Sequence, residues 1–426
     1  MGNSSLAMAI YKEFRKVFSV EFRSTFGEAD RVCFREWTGI NVDIPQVPAA
    51  SVGARICSMQ DSATSQGNAK LAIARIVSAN VGARLGVIRF FQQSATGNVQ
   101  ISGTLEGLSV PGIPVGFHVH QYGDLSSLDC TAAGSHFNPT GLGHGGPTGT
   151  VRHIGDLGNI QVDANGRAQI NIQVPGSNLP LDGPNGIIGR MVVVHSGTDD
   201  LGQGGASDSS TTGNAGSRIA CGVIGIGGGT GLGFEPGAGN FSRTPVREPG
   251  KFLGTVTIEQ KAPNHPFTVR GTLSGISSTS AEHGIHIHEF GGLIQDDCLA
   301  AGSHYNPGNS GHGGIVMPKR HVGDLGNVFI NAQGENPLWI ITLSANSLSM
   351  VGPVSIVGRM LVIHQSRDDL GLGRTPESNT TGNSGTRLGC GVLGIASDFS
   401  PADDSTRLSP TMLLMISALI LWKCFD

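Results

Sequence analysis

Short runs of apolar residues, some of them alternating with polar ones, recur along the chain between segments rich in Gly, Pro, Asn and Ser. In the first half these runs are residues 71–77, 86–91, 99–103, 116–120, 169–174, 191–195 and 221–226. Runs of this length with turn residues between them are typical of β-strands. The succession returns from residue 252 to residue 395, without an evident counterpart of the first run. The pattern predicts two all-β domains, the second of which is either incomplete or closed by linker residues.

The composition supports short strands joined by tight turns. The 426 residues include 65 glycines, and only 5% of residues are aromatic and 14% charged, which is not typical of a helical bundle. The formal net charge is −4 and no run of Lys and Arg occurs, so the sequence lacks the basic footprint of a nucleic-acid-binding protein. We therefore expect no nucleic-acid partner.

The chain length suits two domains with flanking segments. We assign residues 1–68 to a helical or disordered N-terminal extension, 69–227 to a first domain, 228–248 to a Gly/Pro-rich linker, 249–397 to a second domain, and 398–426 to a polar spacer and apolar C-terminal tail. In the extension, phenylalanines at i, i+4 spacing favour a short amphipathic helix, with a disordered leader as the alternative. These are Phe14, Phe18, Phe22 and Phe26.

The C-terminal tail is almost entirely apolar from residue 412 to residue 422, which is too short to span a bilayer as a helix. A polar spacer followed by an apolar end is similar to a GPI-attachment signal, which predicts an extracellular or cell-surface protein with a membrane tether. The N-terminus lacks an apolar secretory signal, which argues against this interpretation. A packed or frayed terminal segment on a cytoplasmic protein is the alternative.

Metal-ligating and charged residues of the first domain recur in the second at a spacing of 168 or 169 positions. The first set is His118, His120, Cys130, His136, His144, His153, Asp156, His195, Arg218 and Cys221. The second set is His286, His288, Cys298, His304, His312, His321, Asp324, His364, Arg387 and Cys390. A constant offset over so many residues indicates that a whole domain was duplicated.

The spacing of these residues suits two kinds of metal site. His118 and His120 lie at i and i+2 of one predicted strand, so both imidazoles leave the same face. In the following loop, three histidines and Asp156 form a closed set suited to tetrahedral Zn²⁺, which would order a loop with few apolar residues. An imidazole-rich site with an open position suits copper.

Four cysteines fall at matching places in the two domains, namely Cys130, Cys221, Cys298 and Cys390. Pairing within each domain would close a loop of about ninety residues and stabilise the fold by roughly 4–5 kcal/mol at best. Four buried free thiols are the alternative, because connectivity does not follow from sequence.

Several stretches of each domain resemble the signatures of the Cu/Zn superoxide dismutase family. In the first domain these are residues 116–120, 136–139, 144–147, 153–158 and 213–221. The resemblance covers nearly the whole of both domains and implies an antiparallel Greek-key β-barrel or sandwich.

The resemblance implies a copper ion and a zinc ion in each domain. The copper ligands would be His118, His120, His136 and His195 in the first copper set, and His286, His288, His304 and His364 in the second copper set. The zinc ligands would be His136, His144, His153 and Asp156 in the first zinc set, and His304, His312, His321 and Asp324 in the second zinc set.

The resemblance also implies roles for residues around the metals. His136 and His304 would bridge the two ions and deliver a proton during catalysis. Arg218 and Arg387 would attract the anionic substrate. Asp199 and Asp368 would orient one copper ligand and one zinc ligand by hydrogen bonds.

The implied function is conversion of superoxide to dioxygen and hydrogen peroxide at one copper centre per domain. A copper- and zinc-binding storage or scaffold protein with weak sites is the alternative, because ligands alone do not prove turnover. Residues 223–226 and 392–395 match apolar surface through which this family pairs its barrels, so we expect the domains to pair within one chain or between chains.

Two features depart from the family or add to it. The loop from Asp199 to Ser217 has no basic residue, whereas its counterpart has Arg367 just before it and Arg374 inside it, so we expect weaker electrostatic steering at the first site. A sequon at Asn379-Thr380-Thr381 lies in the second loop, where a glycan would obstruct access in a secreted protein.

Overall fold

The computed structural model describes residues 69–94, 96–228, 241–248, 251–262, 264–277, 280–293 and 298–397. The strands of the first domain are β1 (Lys70–Ser78), β2 (Arg84–Gln92), β3 (Val99–Leu105), β4 (Pro114–His120), β5 (Asp156–Gln161), β6 (Ala168–Val174), β7 (Met191–His195) and β8 (Arg218–Ile226). Those of the second are β9 (Phe241–Glu248), β10 (Lys251–Gln260), β11 (Phe267–Leu273), β12 (Glu282–His288), β13 (Asp324–Phe329), β14 (Asn336–Leu343), β15 (Met360–His364), β16 (Arg387–Val392) and β17 (Gly394–Ile395). Two one-turn helices, α1 (Ser209–Thr212) and α2 (Ser378–Thr381), precede the last strands of each domain. The prediction of an all-β protein is confirmed.

The first domain is one antiparallel sheet in the order β5-β4-β7-β8-β1-β2-β3-β6. The two outer strands, β5 and β6, are consecutive in the chain, and a bridge between Val162 and Ala168 joins them where they meet. The sheet thereby rolls into a nearly closed barrel of Greek-key type. The connections from β3 to β4 and from β6 to β7 cross between strands that are not neighbours in the sheet, and they bring the metal-ligating strands β4 and β7 side by side.

The second domain repeats this order as β13-β12-β15-β16-β9-β10-β11-β14, and β17 also pairs with β9. Strand β9 pairs antiparallel with β10 from Phe241 to Glu248 and takes the position that β1 has in the first domain. The last eight residues of the segment assigned to the linker, 228–248, therefore form a strand, and the second barrel is closed by linker residues, which is one of the two alternatives that the sequence left open. The sequence signal was weak because Pro245 and two arginines interrupt the strand pattern.

The interior of the first barrel is filled by apolar side chains from each of its eight strands. In β6 the burial alternates with the strand period, so Ala168, Ile170 and Val174 face the core. All five residues of β7 are buried, because one face lies in the barrel and the other is covered by the loops around it. This burial places His195 at the end of a rigid central strand.

Two disulfide bonds form within the domains, Cys130–Cys221 with a Cα–Cα distance of 6.2 Å and Cys298–Cys390 with 6.0 Å. Each disulfide ties a loop to a barrel strand that begins with an arginine, which is Arg218 in β8 and Arg387 in β16. The one-turn 3₁₀ helices Thr131–Ala133 and Leu299–Ala301 follow the first cysteine of each pair. The loops are therefore held close to the metal-ligating histidines of β4 and β12.

Backbone hydrogen bonds join the two domains reciprocally. Gly123 N donates to Ile395 O and Ile395 N donates to Gly189 O, both at 2.7 Å. At the matching positions of the other domain, Gly291 N donates to Ile226 O at 2.8 Å and Ile226 N donates to Gly358 O at 2.7 Å. The paired contacts are related by the offset of the duplication, as in an isologous interface.

No helix among the residues described above is both long enough and apolar enough to cross a membrane. The predicted amphipathic helix of the N-terminal extension and the apolar C-terminal tail lie outside the described residues.

Candidate metal centres

The first copper set is gathered from β4, β7 and the loop after the first disulfide cysteine. His118 and His120 lie on β4, His195 ends β7, and a bridge between His120 and His136 brings the loop against the strand. The four residues are buried, and their ligand atoms lie within 4.8 Å of one another. His120 Nε2 and His195 Nε2 approach to 3.2 Å. The separated positions in the sequence thus form one compact group of imidazole nitrogens.

The first zinc set surrounds a single carboxylate oxygen. The Nδ1 atoms of His136, His144 and His153 lie 3.0, 3.0 and 3.1 Å from Asp156 Oδ1. Since His136 belongs to both sets, its two ring nitrogens face the two centres. The other oxygen, Asp156 Oδ2, accepts hydrogen bonds from the backbone N–H groups of Gly145 and His153.

The donor sets fit the implied ions. Three buried ring nitrogens of the first domain have no hydrogen-bond partner, namely His118 Nδ1, His136 Nε2 and His144 Nδ1. The short distance from His144 Nδ1 to Asp156 Oδ1 is an approach without hydrogen-bond geometry. An unsatisfied buried polar atom costs about 1–3 kcal/mol. An ion in the copper set would satisfy His118 Nδ1 and His136 Nε2, and an ion in the zinc set would satisfy His144 Nδ1. Four imidazoles suit copper, and three imidazoles with a carboxylate suit zinc.

The second domain reproduces both groups. His288 Nε2 and His364 Nε2 lie 3.2 Å apart, and the Nδ1 atoms of His304, His312 and His321 lie 3.0–3.1 Å from Asp324 Oδ1. The ligand atoms of His286, His288, His304 and His364 also lie within 4.8 Å of one another. Its unpartnered nitrogens are His286 Nδ1, His304 Nε2 and His312 Nδ1. The two domains therefore offer the same donor atoms.

A buried aspartate connects the two sets in each domain. Asp199 accepts hydrogen bonds from His118 Nε2 at 2.9 Å and from His144 Nε2 at 2.7 Å. Asp368 does the same for His286 at 2.9 Å and His312 at 2.8 Å. These bonds leave Nδ1 of each histidine as the atom that faces the metal position.

The two arginines are held by the loops after the first disulfide cysteines. Arg218 Nη1 donates to Cys130 O at 2.6 Å and to Thr131 O at 3.0 Å, and Nη2 donates to Gly134 O. His120 Nδ1 donates to the same Gly134 carbonyl at 2.9 Å. Arg387 makes the equivalent bonds to Cys298, Leu299 and Gly302. The guanidinium groups are thereby fixed beside copper-set imidazoles and remain partly exposed.

Burial keeps the copper-set imidazoles neutral. Burial, together with neighbouring imidazoles, lowers the pKa of His195 to about 3 and that of His136 to about 4. In the second domain, burial lowers the pKa of His364 to about 4 and that of His288 well below its usual value. Neutral imidazoles are the form that binds a metal ion.

The pKa of His144, the zinc-set histidine between Asp156 and Asp199, is shifted in the opposite direction. Burial lowers the pKa of His144, but hydrogen bonds to Asp156 and Asp199 outweigh this and raise it to about 9. Burial raises the pKa of Asp156, but its contacts with His136, His144 and His153 hold it well below its usual range. The pKa of His312 is likewise raised to about 9 by Asp324 and Asp368 against the effect of burial.

Sequence reasoning missed two side chains that position the carboxylates. Arg152 donates to the backbone carbonyls of Ile154 and Asp156. Asn159 Nδ2 donates to Asp199 O, and Asp199 N donates to Asn159 Oδ1, both at 2.8 Å. Arg320 and Asn327 repeat these bonds in the second domain. The offset of 168 between the members of each pair was the signal that could have found them.

A buried position next to the copper set differs between the domains. His283 is buried in β12, where its Nδ1 donates to the backbone carbonyl of His364 at 2.8 Å. Its counterpart on β4 is Val115, which offers no such bond to His195. The second copper set therefore has a cross-strand support that the first set lacks.

The second site opens into a cavity of about 710 Å³. Its lining includes the copper-set residues His288, His304 and His364 together with Arg387. Residues of α2 and of the turn after it complete the wall on the other side, among them Asn379 and Asn383. The cavity is the route from solvent to the second copper set.

The model of the copper/zinc superoxide dismutase family (SODC) matches residues 84–224 and again residues 252–393. This chain belongs to the copper/zinc superoxide dismutase family. A Cu-Zn superoxide dismutase of Cordyceps militaris is 49% identical to it over 141 residues, which are 33% of this chain and 89% of that protein. The extracellular Cu-Zn superoxide dismutase of Onchocerca volvulus is 53% identical over 145 residues, 33% of this chain and 69% of that protein.

A third relative, the Cu-Zn superoxide dismutase of Yarrowia lipolytica, is 50% identical over 141 residues, 33% of this chain and 89% of that protein. Each of these relatives thus corresponds to about one domain of this chain. The predicted resemblance is confirmed, and the protein carries two copper/zinc superoxide dismutase domains in tandem.

Proposed function

We propose that both domains convert superoxide to dioxygen and hydrogen peroxide. The observation that carries this proposal is the convergence, in each domain, of a four-imidazole set and a zinc-type set that share one histidine. Family membership supports the same activity. The partly exposed arginine beside each copper set supports catalysis over storage, because a storage site needs no anion-attracting group.

In the proposed mechanism, the first copper set holds copper and the first zinc set holds zinc, and the second sets do the same in the second domain. When bound, copper supplies one-electron redox chemistry, by which one superoxide is oxidised to dioxygen and a second is reduced to hydrogen peroxide with two protons. The zinc set, with four protein ligands and no open position, keeps the loop from His136 to Asp156 ordered.

His136 and His304 have a second task in this proposal. Each ring uses Nδ1 toward the carboxylate of its zinc set and keeps Nε2 on the copper side, where the atom has no hydrogen-bond partner. A proton taken up at Nε2 would lie on the copper side of the ring, where it could be donated to superoxide as superoxide is reduced. Burial lowers the pKa of both imidazoles, so a proton held there is readily given up.

Arg218 and Arg387 bind and orient the anion. Their guanidinium groups are fixed by three backbone carbonyls each, so they present a permanent positive charge beside the copper ligands. Asp199 and Asp368 orient the ligating rings. None of these groups has to reorganise when superoxide arrives, which is favourable for a fast reaction.

The test is metal content together with superoxide turnover in the wild type, His118→Ala and His286→Ala. We expect two copper and two zinc ions per chain in the wild type, and about half of the turnover in each variant because one site survives. Full metal loading without turnover would support the storage interpretation. A variant that loses all turnover would show that only one domain is active.

We propose that the two domains pair within one chain through the reciprocal contacts at Gly123, Gly189, Ile226, Gly358 and Ile395. Apolar packing supports this arrangement, because Val392 of the second domain packs in one buried cluster with Met191 and Val223 of the first domain. Since the interface is occupied within the chain, we expect a monomer in solution.

We propose an extracellular or cell-surface location for the protein. Two disulfides within the domains support it, because disulfides persist mainly in oxidising compartments. Cell fractionation tests the location, and release by a phosphatidylinositol-specific phospholipase tests a tether through the C-terminal tail. Recovery of the protein in the soluble cytosolic fraction with free thiols would contradict the proposal.

A further inference from the structure

The sequon Asn379-Thr380-Thr381 lies within the one-turn helix α2. Asn379, Thr380 and Thr381 are all exposed. The side chain of Asn379 is therefore accessible to a modifying enzyme, and no residue has to move to reveal it. An exposed Asn-x-Thr is the acceptor motif for N-linked glycosylation.

The place of this sequon relative to the second copper set is defined by the cavity. Asn379, Thr380 and Thr381 line it together with the copper-set residues His288, His304 and His364. A substituent on Asn379 Nδ2 would therefore start at the wall of the cavity that also exposes the second copper set.

The first domain provides a natural control. Its helix α1 has the same backbone placement, because Ser210 O accepts a hydrogen bond from His144 N at 2.9 Å as Asn379 O does from His312 N. The sequence there is Ser210-Thr211-Thr212, which is the same motif with Ser in place of the acceptor Asn. The two domains differ at this position in whether a glycan can be attached.

We propose that Asn379 is an N-glycosylation site and that its glycan narrows access to the second copper site alone. In the modification, Asn379 Nδ2 forms a bond to the anomeric carbon of a lipid-linked oligosaccharide diphosphate. The bond from that carbon to the diphosphate breaks, the lipid diphosphate leaves, and the amide loses one proton. Thr381 supplies the hydroxyl that the motif requires. The kinetic part of this inference rests on the proposed function, whereas the modification does not.

The glycan acts by reducing the solid angle from which an anion reaches the cavity. Superoxide is small enough to pass beside a flexible sugar chain, so the second site stays active at a lower rate. We expect its kcat/KM to fall by about two- to fivefold, because productive encounters depend on access to one specific patch. The first site keeps its full rate.

The experiment uses the full chain secreted from eukaryotic cells, with a matched pair of variants at one position. Thr381→Ser keeps the sequon and Thr381→Ala removes it. Both are made in the His118→Ala background, so that turnover reports the second site. We expect a glycopeptide containing Asn379 by mass spectrometry for Thr381→Ser but not for Thr381→Ala, and a two- to fivefold higher kcat/KM for Thr381→Ala.

Production of the same pair in a bacterial host without N-glycosylation gives the effect of the substitution itself, where equal rates are expected. The reciprocal variant Ser210→Asn, in the His286→Ala background, should acquire a glycan and slow the first site. An unmodified Asn379 peptide in the secreted chain overturns the proposal, as do equal rates with and without the glycan. Absence of turnover in the fully metal-loaded bacterial protein would refute the proposed function, while the glycopeptide would still decide the modification.

Discussion

Asp199 illustrates how one side chain orients both metal sets. It accepts hydrogen bonds from His118 Nε2 and His144 Nε2, and its own backbone is fixed by Asn159. Loss of the carboxylate frees both rings to rotate and to expose the wrong nitrogen to the metal. Groups of this kind typically affect metal affinity by 10- to 100-fold.

We therefore predict that Asp199→Ala weakens zinc and copper binding in the first domain by about 10- to 100-fold. Competition with a chelator of known affinity measures the effect. The second domain of the same variant is the internal control, because Asp368 is untouched. Equal metal retention in both domains would contradict the role assigned to Asp199.

A second prediction at the residue scale concerns the pH dependence of the metal-free chain. His144 and His312, whose pKa values are raised to about 9, stabilise the fold below the ordinary His pKa, and this contribution is lost as pH rises toward 9. His136, His195 and His364 have lowered pKa values of about 3 to 4. They destabilise the fold as pH falls from the ordinary value toward 4, because the unfolded chain then binds more protons.

The Tm of the metal-free chain should consequently be highest near the ordinary His pKa of 6.5 and should decrease on both sides. Thermal unfolding of chelator-treated protein between pH 4 and pH 9 measures this, with the metal-loaded protein as a comparison. A Tm that rises steadily to pH 9 would show that the two raised pKa values contribute nothing.

The residues of the copper and zinc sets, which the fold brings together, could be predicted from the sequence because their chemistry and spacing occur twice. Arg152 and Asn159 were not found, because they hydrogen-bond to backbone atoms of Asp156 and Asp199. Neither residue type is by itself typical of a metal site. The sequence also left open which ring nitrogen faces each ion. That choice depends on hydrogen bonds such as those of Asp199, which only the folded chain reveals.

At the scale of secondary structure elements, β9 shows where the pattern of apolar residues fails. The strand closes the second barrel between β10 and β16, yet its sequence alternates poorly and contains Pro245. Its pairing is determined by the open edge of the barrel, which is a tertiary effect. Strands such as β6, in which buried apolar residues alternate with exposed polar ones, were recognised because packing in the core requires apolar residues at every second position.

Deletion of residues 241–248 should lower the Tm of the second domain and leave that of the first unchanged, because it removes the strand that pairs with β10 along eight residues. Differential scanning calorimetry should then show a separate early transition. A deletion of equal length within residues 229–240 is the control. A single unshifted transition in the 241–248 variant would mean that β9 adds no stability.

At the scale of the whole molecule, the two domains approach closely at glycines. A Cβ built on Gly394 would lie 2.0 Å from Gly123 O, and one on Gly225 would lie 2.2 Å from Gly291 O. These are backbone atoms of the opposite domain, which cannot move aside without separating the barrels.

The double variant Gly225→Ala and Gly394→Ala should therefore open the domain pair, with an overpacking cost of about 1–3 kcal/mol at each position. Small-angle X-ray scattering should show a larger radius of gyration. Gly205→Ala serves as the control, because nothing lies within 4 Å of its added Cβ. An unchanged radius in the double variant would contradict the proposed pairing.

The charge around the two sites also differs. The loop of the first domain carries Asp199, Asp200 and Asp208 without a basic residue, whereas the second loop contains Arg374 among three acidic residues and directly follows Arg367. Arg367 is partly neutralised by Glu282, with which it pairs on the surface. The second site therefore presents the more favourable field to an anion.

The rate at the second site should fall with rising ionic strength more steeply than the rate at the first, because salt screens attraction between exposed charges. The measurement is kcat/KM against salt concentration, with His286→Ala reporting the first site and His118→Ala the second. A steeper decline at the first site would refute the assignment.

The reciprocal contacts between the domains have a consequence for how such a molecule evolves. In an assembly of two identical chains, every substitution is present in both subunits and so changes both sides of the interface. Dilution also separates the two chains. Here the halves are tethered at a high effective concentration, and a change in one half leaves the other untouched. Val115, whose counterpart is His283, and Ser210, whose counterpart is Asn379, mark such independent changes, so each half is free to specialise while the other preserves the ancestral chemistry.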